Sequence, residues 1–165
     1  MPKLDLFQFI NSQENYNKVF KAEDLTRIPQ INSKNQHVNL ELLGELQEKN
    51  KTKIRLLHLK INGEINLVCH RCNTALHHKI DIQNTVDVFP NQQILDAAPI
   101  EEEYYDTIIG SDNFDIQELL EEEILLSLPA FPTHKICPSH EYTAKEDKPK
   151  SPFAVLEILK QKKEN

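Results

Sequence analysis

A chain of 165 residues with 39% hydrophobic content and a formal charge of −7 has room for one modest core. Only 3 glycines occur, and no G-x-G-x-x-G or G-x-x-x-x-G-K, which excludes a phosphate-cradling glycine loop; no apolar run is long enough to span a membrane. Three cysteines and a polar-interrupted N-terminus without an export signal lead us to expect a reducing cytoplasm and no disulfide framework.

The chain opens on Leu4, Leu6, Phe7, Phe9 and Ile10, read as a strand. Asn11 or Ser12 then caps a short helix toward Phe20, and Glu23 to Ile28 adds a helical turn that Pro29 stops. From about Gln36 the period becomes two. Val38, Leu40 and Leu42 alternate with polar residues, and Leu57, Leu59 and Ile61 do the same. Asn62-Gly63 is a strong turn signal. Ile65, Leu67, Ile80, Ile82, Val86 and Val88 continue the alternation, giving an antiparallel meander with one face buried. Residues 90–111 read as a long loop.

Asp115 opens a helix, with Glu118 at the capping-box position. Ile116, Leu119, Leu120, Ile124 and Leu128 form its apolar stripe, with Glu118, Glu121 and Glu122 outside, and Pro129 ends it. Residues 100–128 carry ten acids and no Lys or Arg, which leaves 16 acids against 19 bases elsewhere. Bulk charge therefore does not draw the chain to RNA, and the acidic block suits either a solvated face or a basic protein partner. Ser151-Pro152 starts a last helix, in which Phe153, Val155, Leu156 and Leu159 share a face that docks or binds a partner. The expected organisation is one α+β domain over 1–150, an antiparallel β-meander packed by an acidic amphipathic helix, with a short N-terminal helix and a C-terminal helix over 151–165.

All three cysteines lie in two knots, Cys69-His70-Arg71-Cys72 and His134-Lys135-Ile136-Cys137-Pro138-Ser139-His140. The first is a C-x-x-C pair at a turn between strands, where two side chains meet at one point. Structural zinc takes four soft or borderline ligands. Cys69 and Cys72 offer one half of such a site, and Cys137 with His140 or His134 offers the other. Two further readings stay open: small apolar cysteines at the sheet end, and a redox dithiol, for which the βαβ setting is missing. Arg71 suits a phosphate contact or a salt bridge to the acidic helix. No Ser/His/Asp order and no H-E-x-x-H occurs, so no enzymatic activity and no small-molecule substrate are expected.

The cysteine pair, the Asp115-led helix running through Glu121-Glu122-Glu123-Ile124-Leu125-Leu126-Ser127-Leu128-Pro129, and Ser151-Pro152-Phe153-Ala154-Val155-Leu156 together resemble the bacterial YceD family of large ribosomal RNA subunit accumulation proteins. Pro132, His134 and Cys137 fit the same pattern, whereas Asn73 stands where the family usually has leucine. The resemblance implies a non-enzymatic role in synthesis, processing or stability of the large-subunit ribosomal RNA. Implied partners are that RNA or a basic large-subunit ribosomal protein. Residues expected to meet a partner are Arg71, Glu121, Glu122, Glu123 and Phe153, with Cys69, Cys72, Cys137 and His140 as ligands of one structural zinc.

Overall fold

The structure, a computed structural model, describes residues 3–49, 52–98 and 105–138. A five-stranded sheet in the order β2-β3-β4-β5-β6 is its centre. Its strands are β2 (Asn15–Lys21), β3 (His37–Lys49), β4 (Thr52–Val68), β5 (Ala75–Phe89) and β6 (Asp106–Ile109). The first four pair antiparallel, with Leu40 opposite Ile61 and Ile61 opposite Ile82. One sheet face is thus a row of branched apolar side chains, and Val38, Leu40, Leu42, Leu57, Leu59 and Ile61 are all buried in one core cluster.

β6 departs from the expected antiparallel meander. It runs parallel to β5, with Val88 opposite Ile108, and it lies inside the segment read as loop. A parallel neighbour needs a crossover. Here the helix α2 (Gln92–Ala97), capped by Asn91 accepting from the Ile94 amide, starts that return. Pro90 and the acidic composition mask both elements in the sequence.

The N-terminal assignments exchange places. Leu6–Asn11 is a helix, α1, and Asn15–Lys21 is a strand. Leu6, Phe9 and Ile10 are the buried residues, a helical i, i+3, i+4 spacing, and Asp5 caps the helix by accepting from the Gln8 amide at 2.9 Å. Only Lys3–Leu4 (β1) is extended, paired with β7 (Phe114–Asp115). α1 lies across the sheet at Gly44, where a Cβ would stand 2.7 Å from the Ile10 Cα; an alanine there would push the helix off.

Asn62-Gly63 is no turn. Both residues lie inside the 17-residue β4, Gly63 opposite Val38 and Ile80. A Cβ on Gly63 would sit 2.8 Å from the Val38 Cα, so the glycine serves close backbone approach rather than chain reversal.

The helix α3 (Ile116–Ser127) starts where expected. The Asp115 carboxylate accepts from the amides of Gln117 at 2.9 Å and Glu118 at 3.2 Å. Ile116, Leu119, Leu120 and Ile124 join the core, while Leu126 is 79% exposed. The expected C-terminal helix, with Phe153, falls outside the described residues. So does the proposed division at residue 150.

Candidate metal centre

β4 ends at Val68, and the chain reverses through residues 69–74 into β5. The reversal closes on itself. The Cys69 amide donates to the Thr74 carbonyl and the Asn73 amide donates to the Cys69 carbonyl, each at 2.9 Å. Asn73 takes φ 61°, a left-handed backbone that asparagine tolerates better than most side chains. This closed turn points Cys69 and Cys72 inward: Cys69 is fully buried and Cys72 is 9% exposed.

The chain after α3 crosses this turn. The His70 amide donates to the Pro132 carbonyl at 2.9 Å, and the Phe131 ring meets His70 edge-on, centroids 5.7 Å apart. That contact brings in His134 and Cys137. The four ligand atoms of Cys69, Cys72, His134 and Cys137 all lie within 4.8 Å of one another. The sulfurs of Cys69 and Cys137 are 3.8 Å apart, and Cys72 Sγ is 3.4 Å from His134 Nδ1. A disulfide needs about 2.05 Å. Two thiolates about 2.3 Å from one tetrahedral zinc stand at roughly the larger spacing. The donor set and its dimensions therefore fit a divalent cation.

The histidine is oriented for ligation. Its Nε2 lies 3.1 Å from the Ala75 carbonyl, to which it donates its proton, and this leaves the Nδ1 lone pair facing the sulfurs. Thr74 Oγ1 sits 3.1 Å from Cys72 Sγ, and that contact holds the Cys72 thiol below its ordinary value. For Cys69, burial opposes ionisation, but donation from the His134, Cys72 and Arg71 amides outweighs it and brings the pKa down to about 5. Burial pushes the Cys137 thiol up, against the neighbouring Arg71. The thiols of Cys69 and then Cys72 raise His134. Three sulfurs and one imidazole nitrogen thus converge on one point, where they could hold a metal ion. A metal drawn in here would be held by these four side chains and would tie the turn to the segment after α3.

Of the two histidines flanking Cys137, the structure brings in His134; His140 lies outside the described residues. Among the described residues Arg71 makes no salt bridge to the acidic helix. Its Nε donates to Cys137 Sγ at 2.9 Å, and its Nη2 to the carbonyls of His134 and Lys135.

The three expected partner-facing glutamates separate. Glu121 turns inward, 4% exposed, and accepts from the Arg27 amide at 3.5 Å, contrary to its expected place outside. Glu123 is half-buried and accepts from Asn84 Nδ2 at 3.2 Å. Glu122 is exposed, as is Glu118.

One feature had no sequence signal. On the sheet face opposite the core a cleft of about 760 Å³ is lined by Asn15, Asn17, Glu41, His58, Lys60 and Tyr105. His58 is held at both ring nitrogens, by Glu45 at 2.6 Å and Thr85 at 2.9 Å. Their separation in sequence hides the grouping: Glu41, His58 and Lys60 belong to the polar half of the β3 and β4 alternation, whereas Asn15, Asn17 and Tyr105 lie in segments read as helix and loop.

The profile of the large ribosomal RNA subunit accumulation protein YceD matches residues 57–160. The chain belongs to the YceD family. It is also 29% identical over 123 residues to the large ribosomal RNA subunit accumulation protein YceD of Haemophilus influenzae, covering 67% of this chain and 68% of that relative. No solved structure matches the chain. The YceD match includes both cysteine knots and α3, so it covers all four residues of the cluster.

Proposed function

We propose that the chain is a cytoplasmic ribosome-biogenesis factor that supports synthesis, processing or stability of the large-subunit (23S) ribosomal RNA, without catalysis of its own. The observation that carries this is membership of the YceD family over residues 57–160, together with the relative named for accumulation of that RNA. Among the described residues no helix is long and apolar enough to cross a membrane, which is compatible with action on ribosomal components. The acids of α3 serve structure where they are engaged: Asp115 caps the helix and Glu121 takes the Arg27 amide. One structural zinc on Cys69, Cys72, Cys137 and His134 holds the fold together in this reading.

A second reading is favoured by a specific observation. Glu118 and Glu122 are exposed one helical turn apart. Like charges at that spacing repel, so a cationic partner is stabilising there. Arg27 reaches Glu118 at 3.8 Å, and Glu122 is left for a basic large-subunit ribosomal protein.

Deleting the gene tests the first reading. The ratio of large- to small-subunit ribosomal RNA should fall. An unchanged ratio, in the cold as well as in rapid growth, would sink it. Capture from lysate with and without ribonuclease separates the second: a basic protein retained after ribonuclease, and lost on Glu118→Gln with Glu122→Gln, places the contact on α3. Capture that ribonuclease abolishes places it on RNA.

A further inference from the structure

We infer that Arg71 is a positioning residue of the metal centre, holding Cys137 in place for ligation and balancing the charge of the three thiolates. This rests on the metal reading above. The two halves of the centre are built differently. Cys69 and Cys72 sit in a turn closed by its own backbone hydrogen bonds. His134 and Cys137 sit in a segment without regular secondary structure, and Cys137 is only half-buried. Something must fix that segment before it can supply two ligands at defined positions.

One guanidinium reaches three points on it. Arg71 Nε donates to Cys137 Sγ at 2.9 Å, while Nη2 donates to the carbonyls of His134 and, at 3.4 Å, Lys135. The planar fork of arginine makes such a multiple contact, which the point charge of lysine does not reproduce. The electrostatics agree. Three thiolates, one neutral imidazole and a divalent cation leave one negative charge, and Arg71 brings one positive charge directly to a thiolate. Because Arg71 lies between Cys69 and Cys72 in the sequence, the same turn that offers two ligands also carries the clamp for the other two. Arg71 is then engaged by the centre and is a poor reader of phosphate.

The test uses the full chain, purified with zinc as wild type, Arg71→Gln and Arg71→Lys. Zinc release into excess EDTA is followed with a metallochromic indicator. The thiolate-to-cobalt charge-transfer absorption is recorded after cobalt(II) substitution. Release from Arg71→Gln should be about 10- to 100-fold faster than from wild type, if the affinity lost with an outer partner of a ligand appears in the off-rate. The cobalt band should move, because one thiolate has lost a charged donor, an effect that a merely structural role does not produce. Arg71→Lys, which keeps the charge and loses the fork, should fall between. Release from Arg71→Gln within about twofold of wild type, with an unmoved band, overturns the inference. If Arg71→Gln does not fold, Arg71→Lys decides: wild-type release with a wild-type band overturns it equally. Wild-type protein that takes up neither zinc nor cobalt sinks the underlying metal reading, a failure visible without any change at Arg71.

Discussion

The sulfurs of Cys69 and Cys137 stand 3.8 Å apart although 68 positions separate them in the chain. With Cys72 and His134 beside them, the expected content is about one zinc per chain in cytosolically expressed protein. Cys72→Ser should lose the metal and lower stability, since structural zinc binding contributes folding free energy. His134→Gln should do the same and His140→Gln should not. Metal analysis and urea melts of the three variants check this, and a zinc content unaffected by His134→Gln would remove His134 from the ligand set.

Leu120 is fully buried at the centre of the α3 stripe, and Glu122 on the same helix is exposed. Leu120→Ala should cost about 2–5 kcal/mol. Glu122→Ala should lie within about 0.5 kcal/mol of wild type. Urea unfolding measures both. Equal, small effects would mean that α3 contributes little to the core and is free to act as a recognition surface.

Glu123 gives a pH signature. Burial, opposed by the Asn84 hydrogen bond and helped by Asp106 and Glu122, raises its pKa above the ordinary 4.5. The folded chain therefore holds this proton more tightly than the unfolded chain. The stabilisation is present below the unfolded value and is lost as pH rises through the folded one. At neutral pH the ionised carboxylate is a small liability, so Glu123→Gln should raise the urea midpoint at pH 7 and leave it unchanged near pH 4. A variant midpoint below wild type at pH 7 would contradict this assignment.

Legibility followed locality. The start of α3 at Asp115 is readable because an N-cap bonds amides two and three residues on, and the apolar period needs nothing outside the helix. The alternation of β3, β4 and β5 is readable for the same reason. Where a residue's role depended on a distant neighbour, reading failed. Gly63 looks like a turn glycine until β3 is seen pressing against it. Leu6, Phe9 and Ile10 suit strand or helix until β3 passes beneath at Gly44.

The metal centre divides along the same line. The amino-acid sequence by itself determined the C-x-x-C turn, the third cysteine and the acidic helix, because spacing and capping act within a few residues. Only the tertiary structure shows that His134 joins the three cysteines, since spacing alone gives both histidines three positions from Cys137. It also decided that Arg71 faces a sulfur and that Glu121 is buried. Each of these depends on how the chain after α3 folds back over the β4–β5 turn. That docking is fixed by contacts such as the His70 amide to the Pro132 carbonyl, formed between backbones that carry no sequence mark of one another.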